Sequence, residues 1–482
     1  METQIIAKTF KGLEEVLAKE VIQLGGNNVE IGNRMVSFTG DKELLYKANF
    51  CLRTAIKILK PIKTFKADDA DAVYDVAKTI DWDTYMDADT TFLVDAVVFS
   101  DKFRHSQFAA YRMKDAIADF WREKTGDRPN VSITNPDIRI NLHISNEDVT
   151  VSLDSSGESL HLRGYKVCNT EAPINEVLAA GLIMLSGWKC DTDFIDPFCG
   201  SGTILIEAAL IARNIYPGVF RKEYAFEKWK DYDAELFEQI YNDDSEERDF
   251  THKIYGYDIN NRVVQIAQEN VKSAGVSNIV EVRQRDIADF EQPKNRALMI
   301  TNPPYGERIG AVKGVNLEDL YMKLGERLKH AFVGGDAWII SNREEFFDNI
   351  GMKPSTKFAL LNGSIECEFR KYQIFDGKLK RQRERGVDIK SAEDRKRNAK
   401  YKPHKKGEDG SWTREKAEGN DDHYFKSKPF KEDGRKRNVT NSDKRNERPE
   451  RLSPFEQRRR MFEAQDEEEA AIIKKHFRKW EK

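Results

Sequence analysis

A chain of 482 residues, with 79 Lys and Arg against 82 Asp and Glu and a hydrophobic share of 39%, has material for two or three packed domains and is not one small module. No run approaches the roughly 18 unbroken apolar residues of a membrane span, and the opening METQIIAKTF lacks the basic-then-apolar grammar of a signal peptide. A soluble, cytoplasmic protein without a membrane partner is therefore expected. Five cysteines without a CxxC spacing, and eight histidines without a paired ligand spacing, predict reduced thiols and no metal site.

In chain order, the first 60 residues read as strand, helix, hairpin, helix, strand. Leu13, Val16, Leu17, Val21 and Leu24 recur at helical spacing, and Gly25 with Gly26 supplies a stop. NVEIGNRMVSF reads as a hairpin about a Gly32-Asn33 turn, and TAIKIL as a strand. A second α+β stretch runs from about Phe65 to Tyr165. It holds the strand TTFLVDAVVF, a helix from about Ser106 to Arg122, and DIRINLHI with Ile138, Ile140, Leu142 and Ile144 in alternation.

From about Ala172 helices and strands alternate. The helices are APINEVLAAGLIML, TILIEAALIA, NRVVQIAQENVKSAG and LEDLYMKLGERLKHAF; the strands are DFIDP, KIYGYD, IVEVRQRD, ALMIT and DAWIIS. That grammar predicts a parallel, doubly wound α/β sheet. KFALLNGSIECEFRKYQIF, turning at Asn362-Gly363, adds an antiparallel hairpin. Beyond Lys380 the composition changes. Residues 381–482 hold 31 Lys/Arg and 22 Asp/Glu, a balance of +9 that leaves −12 for residues 1–380. Few aliphatic residues there can offset the entropy of ordering, so a mostly disordered tail is expected, with helical patterning confined to Phe455 to Trp480. Its Arg458 to Arg460 run reads either as solvated surface or as part of a polycationic arm for phosphate backbones.

Chemistry concentrates in four places. Asp196-Pro197-Phe198-Cys199-Gly200-Ser201-Gly202-Thr203 lies between a strand and an amphipathic helix. Its glycines permit a tight turn and close approach of a ligand, and the helix N-terminus offers free N–H groups. A dinucleotide fingerprint would need a third Gly where Leu205 stands, and the GK[ST] of a phosphate loop is absent. Asp258 and Asp286 end the next two strands. Each alone reads as a helix cap, but their recurrence after a Gly-rich turn suits the ribose hydroxyls and amine of an adenosine.

The fourth place is Asn302-Pro303-Pro304-Tyr305, directly after ALMIT. The prolines remove donors, so the Asn302 amide oxygen and the Pro303 carbonyl are acceptors for the two N–H groups of an exocyclic base amine. Hydrogen bonds to them favour the pyramidal geometry of attack. Tyr305 is expected to stack on an extruded base. Cys199 reads as packing or ligand lining rather than as a nucleophile. Arg163 and Arg308 flank the expected substrate entrance, as phosphate contacts or as ordinary ion pairs.

These motifs, with LHLRGYK, APINEVLAAGLIMLSGW, the Pro217-Gly218 pair and TNPPYGERIG in order, resemble class I S-adenosylmethionine-dependent methyltransferases. More narrowly, they resemble THUMP-containing 23S ribosomal RNA guanine-N2 methyltransferases of the RlmL type. The resemblance covers roughly residues 1–380. It implies a ferredoxin-like unit over 1–60, a THUMP RNA-binding domain over 61–165, a Rossmann-like methyltransferase domain over 166–380 and the charged tail over 381–482.

It further implies that Asp196, Phe198, Gly200, Gly202 and Thr203 form the methionine side of an S-adenosyl-L-methionine site, with Asp258 on the ribose and Asp286 on the adenine. Asn302, Pro303, Pro304 and Tyr305 would hold the guanine amine, which attacks the sulfonium methyl directly and leaves S-adenosylhomocysteine. Arg163 and Arg308 would contact RNA. The implied partner is large-subunit ribosomal RNA or its assembly precursor, bound by a monomer. A second methyltransferase domain for 7-methylguanine is not expected, because about 100 polar residues cannot form one. Two alternatives remain: an amino methyltransferase for transfer RNA guanine or DNA adenine, and a non-enzymatic ribosome assembly factor. Intact glycines, acids and NPPY weigh against the latter.

Overall fold

Residues 2–375, apart from 104, 169, 171, 172, 294 and 306–315, are described by the computed structural model, together with the short strands Lys405–Lys406 and Trp412–Thr413. Arg308, the rest of the charged tail and the helical patterning near its end lie outside the described residues.

The N-terminal part runs β1 (Thr3–Lys8), α1 (Glu14–Gln23), β2 (Asn27–Gly32), β3 (Met35–Gly40), α2 (Lys42–Cys51) and β4 (Lys57–Lys66). It continues through α3 (Ala70–Lys78), β5 (Phe92–Phe99), α4 (Ser106–Thr125), β6 (Ile138–Ser145) and β7 (Asp148–Asp154). All seven strands join one sheet in the order β2-β3-β1-β4-β7-β6-β5. The ten-residue β4 serves both halves: Lys57 to Leu59 pair with β1, and Leu59 to Lys66 pair with β7. A boundary drawn at residue 60 therefore falls inside a strand. β6 alternates buried with half-buried residues, as its period-two pattern requires. The β2–β3 turn sits one residue later than the sequence suggested, since Gly32 still pairs with Met35 and Arg34 takes the positive φ of 56°.

The second part runs α5 (Glu176–Ser186), β8 (Asp193–Asp196), α6 (Thr203–Arg213), α7 (Ala234–Asn242), β9 (Ile254–Asp258), α8 (Asn261–Ser273) and β10 (Val280–Gln284). β11 (Ala297–Thr301), α9 (Leu317–Ala331), β12 (Asp336–Ser341), α10 (Glu344–Asn349), β13 (Thr356–Asn362) and β14 (Ile365–Gln373) follow. Its sheet has the order β10-β9-β8-β11-β12-β14-β13, with five parallel strands and an antiparallel hairpin at one end. β8 and β11 are buried at every position, the mark of a parallel strand covered on both faces.

A stretch between α6 and β9, in which the sequence offered only the Pro217-Gly218 pair, packs against the first sheet. Phe226 stacks on Tyr46 at 4.3 Å, and Phe237 meets Phe50 edge-on at 6.3 Å. Burying each such ring contributes roughly 1.5–3 kcal/mol. In the other direction Leu13 enters the core of the second part. A buried polar joint sits between the parts. The Glu20 carboxylate accepts from the backbone N–H of Arg53 at 2.8 Å and of Thr54 at 3.0 Å, and the Arg53 guanidinium donates to the Ile215 carbonyl at 2.9 Å.

Arg163 belongs to this joint. Its guanidinium donates to the carbonyls of Leu160 at 2.8 Å and Arg53 at 2.5 Å and stands 3.5 Å from Glu207, with the two side chains 2% and 0% exposed. Tyr165 donates to the same carboxylate at 2.9 Å. The RNA contact expected of Arg163 is corrected accordingly: a guanidinium whose neighbours are interior carbonyls and a buried carboxylate has no face toward a phosphate.

Candidate active site

Because β8 to β12 are parallel neighbours, their carboxyl ends share one edge of the sheet, and residues that close those strands converge there. Asp196 is the last residue of β8 and Asp258 the last of β9; Asn302 and Asn342 are the first residues past β11 and β12. Asp286 follows β10 and caps a one-turn helix, accepting from the Ala288 N–H at 2.8 Å.

The turn after Asp196 is built by its glycines. Gly200 and Gly202 have φ of +53° and +83°, the left-handed region that favours glycine. A side chain at Gly202 would meet the Ala267 methyl at 3.4 Å, whereas one at Gly200 would project into open space. Gly202 therefore lets α6 pack on α8, and Gly200 leaves the turn approachable. The Cys199 N–H donates to the Tyr257 carbonyl at 2.9 Å, tying the turn to β9. Cys199 is buried, and burial pushes its thiol well above the ordinary range, so it is a poor nucleophile. Thr203, also buried, opens α6, and Phe198 is half-buried beside it.

Asp196 is 1% exposed. Its Oδ1 accepts from the Phe198 N–H at 3.0 Å and the Thr301 hydroxyl at 2.6 Å, while Oδ2 carries no hydrogen bond. Burial, opposed by those two bonds, pushes its carboxyl up to about 7. The half-buried Asp258 accepts from the Asn260 N–H at 2.9 Å and the Gly200 N–H at 3.3 Å, and desolvation raises its pKa as well. The Thr301 bond links the glycine turn directly to the strand that presents Asn302.

The Asn302 amide oxygen is buried without a hydrogen bond. Pro303 is buried and Pro304 half-buried. Tyr305 departs from expectation: it is 7% exposed, its hydroxyl accepts from the Asn362 amide at 2.5 Å, and its ring belongs to the core beneath α9. An interior ring with a satisfied hydroxyl holds the loop against the hairpin and offers no stacking face here.

Sequence reasoning missed Asn270. Wholly buried, it accepts from the N–H groups of Val167 and Cys168 at 2.9 and 3.2 Å and donates to the carbonyls of Cys168 and Ser201, each at 3.0 Å. It thus clamps the segment before α5 onto the glycine turn. The available signal was its position on the apolar stripe of Val264, Ala267 and Val271, where a buried amide must find partners.

A parallel sheet with an antiparallel final hairpin, a glycine turn after its first strand, an acid closing the next strand and another just past the one after it define a Rossmann-like methyltransferase domain. The RMKL-like methyltransferase domain model matches residues 163–371, the THUMP domain model residues 67–154 and the RlmL ferredoxin-like domain model residues 4–59. Ribosomal RNA large subunit methyltransferase K/L of Psychromonas ingrahamii is 37% identical over 76% of this chain and 49% of its own length. The chain thus spans about half the length of the first curated relatives it matches. The Synechocystis sp. protein slr0064 is 35% identical over 77% of this chain and 96% of that one. The crystal structure of SMU.472 complexed with SAH superposes with a TM-score of 0.70 at 31% identity, covering 78% of this chain and 99% of that one. The chain belongs to the family of THUMP-containing, RMKL-like methyltransferases.

Proposed function

We propose that the protein transfers a methyl group from S-adenosyl-L-methionine to the exocyclic N2 amine of a guanine in 23S ribosomal RNA. The observation that carries this reading is the hydrogen-bonded junction of two half-sites: Thr301 ties Asp196 of the glycine turn to the strand whose next residue, Asn302, carries a buried amide oxygen without a hydrogen bond among the described residues. The printed names of ribosomal RNA large subunit methyltransferase relatives support the substrate class.

The residues fit an adenosine-bearing sulfonium cofactor. Asp196 Oδ2 is a buried acceptor suited to an ammonium group, the open side of Gly200 admits close approach, and Asp258 and Asp286 stand at strand ends where ribose hydroxyls and an adenine amine need acceptors. Phe198, Gly202 and Thr203 complete the turn. When bound, the cofactor supplies an activated methyl group on a positively charged sulfur. Asn302 and the Pro303 carbonyl accept from the amine, concentrate its lone pair and fix its direction, with Pro304 and Tyr305 holding the loop. No strong general base is required, because the amine becomes acidic once methylated.

The N-terminal sheet, read as ferredoxin-like over 1–60 and THUMP over 61–165, holds the RNA relative to the domain over 166–380, and the basic tail over 381–482 adds affinity for the phosphate backbone. The protein acts as a cytoplasmic monomer. Among the described residues no helix is long and apolar enough to cross a membrane. A 30%-identical Listeria monocytogenes structure bears the name of a predicted N6-adenine-specific DNA methylase, which keeps adenine as the second reading. The test is nucleoside mass spectrometry after incubating unmodified ribosomal RNA, transfer RNA and DNA with the protein and labelled cofactor. N2-methylguanosine on large-subunit RNA is expected; product confined to transfer RNA, or N6-methyladenine alone, would overturn the substrate.

A further inference from the structure

Resting on the reading of Asn302 as holder of the amine, we propose that Asn342 selects guanine among amine-bearing bases by accepting a hydrogen bond from the ring N1–H beside that amine. β11 and β12 pair in parallel with Thr301 opposite Ile339. Asn342 is therefore offset from Asn302 by one strand spacing and two residues, about 8 Å between Cα atoms if the strand geometry continues. Two amide side chains at that separation can reach one base edge. The Asn342 amide oxygen, like that of Asn302, is buried and carries no hydrogen bond among the described residues.

Asn342 lines a cleft of about 340 Å³ whose walls include Phe347, Leu360 and Cys367 but not Asn302, so a base read by both amides would lie at the mouth of the cleft nearest the end of β11, and the volume is within the roughly 300–1,000 Å³ of small-ligand sites. Other acceptors on that wall are engaged or in solvent. Glu368 accepts from the Arg370 Nε at 2.6 Å and Glu344 from its Nη2 at 3.3 Å, while Glu345 and Glu366 are exposed. Among the described residues, the buried side-chain oxygen left unpaired at this wall is thus that of Asn342, which lies just beneath the surface and meets a planar base by rotation of its amide.

The chemistry then separates the bases. In guanine one of the two ring nitrogens flanking the amine-bearing carbon, N1, carries a hydrogen; in adenine and cytosine the single ring nitrogen beside the amine-bearing carbon carries a lone pair. An acceptor at this point attracts the first and opposes the other two, and a site whose buried polar group is left unpaired by the wrong ligand rejects it strongly.

The experiment compares the full-length protein with Asn342→Ala and Asn342→Asp on unmodified, transcribed 23S ribosomal RNA. It measures kcat/KM for labelled methyl transfer, the identity of the methylated nucleoside, and binding of S-adenosylhomocysteine by calorimetry. Asn342→Ala should lower kcat/KM for N2-methylguanosine about 10- to 100-fold. Asn342→Asp, which keeps an acceptor, should stay within about threefold of the unaltered protein. S-adenosylhomocysteine affinity should be unchanged in both. Asn342→Leu replaces the alanine variant if that one fails to bind S-adenosylhomocysteine. An apolar variant within about threefold of the unaltered protein, or an aspartate variant that falls as far as the apolar one, would overturn the assignment. Failure of the underlying reading is a separate result, because the unaltered protein would then yield N6-methyladenosine or no methylated base.

Discussion

Two seven-stranded sheets meet in this molecule, and they differ in where their polar groups go unanswered. In the N-terminal sheet no strand contributes a buried side-chain oxygen or nitrogen without a hydrogen bond, among the described residues. In the C-terminal sheet, β8 ends on such an oxygen at Asp196, while β11 and β12 are each followed by one at Asn302 and Asn342. An unpaired buried acceptor costs about 1–3 kcal/mol. Three at one edge are a standing cost that a ligand rich in N–H groups would offset. Others stand elsewhere in the same sheet, at Asp193, Trp338, Tyr372 and Gln373, but only at the carboxyl edge do three such oxygens gather where the proposed ligands would meet them.

The largest test removes one of those acceptors. If Asn302 serves the amine as proposed, Asn302→Ala should lower the single-turnover rate about 100- to 1,000-fold, the loss typical of removing one preorganised partner of a developing charge. Cofactor affinity should be retained. A rate within a few-fold of the unaltered protein would mean that the C-terminal edge does not hold the reacting group.

The next test probes the joint between the two parts. Arg163→Ala leaves Glu207 as an uncompensated buried carboxylate, and breaking such a pair costs about 3–5 kcal/mol. The denaturant midpoint should fall accordingly, while RNA affinity per folded molecule stays constant. Unchanged stability with weakened RNA binding would instead restore Arg163 to the surface role that its sequence context suggested.

Arg163 also illustrates what the sequence could and could not convey. The elements of the C-terminal sheet were legible because strand and helix periods alternate there, and the DPFCGSGT and NPPY motifs concentrate glycines, prolines and acids whose backbone demands are local. The positions of Asp196, Gly200, Gly202, Asp258 and Asn302 along one edge follow from that alternation. The burial of Arg163 and Tyr305 and the clamp by Asn270 depend on contacts between segments far apart in the chain. Arg163 meets Glu207 across 44 positions and Asn362 meets Tyr305 across 57, and no local period records such pairings. The stretch between α6 and β9 was opaque for the same reason: its aromatic residues answer to Tyr46 and Phe50 in another part of the fold.

A smaller effect is expected at Asp258. Its carboxylate has two backbone donors already, so Asp258→Ala should lower cofactor affinity by about 1–3 kcal/mol and leave the fold intact. Calorimetric titration with S-adenosylhomocysteine measures this directly. An unchanged dissociation constant in a folded variant would remove Asp258 from the proposed site and leave Asp196 and Asp286 as its acids.

The last prediction turns on the pH dependence of Asp196. Its carboxyl, ordinarily near 3.8, is pushed up to about 7 by burial. The folded protein therefore binds a proton more readily than the unfolded chain between those values, and stability falls as pH rises through that window. The decline, on the order of 1–4 kcal/mol in all, should level off above about pH 7, where the carboxylate is charged in both states. Asp196→Asn does not titrate, and its amide oxygen can keep both the Phe198 and Thr301 bonds. Without cofactor, the melting temperature of the variant should therefore gain on that of the unaltered protein from about pH 4 to pH 7 and run parallel above it. Saturating S-adenosylhomocysteine should reverse the ranking near neutrality, because an ammonium group beside Asp196 stabilises the carboxylate and gains nothing from the amide. Parallel melting profiles across the whole range, with and without ligand, would show that Asp196 is satisfied as it stands and that the contrast between the two sheets is smaller than their unpaired oxygens imply.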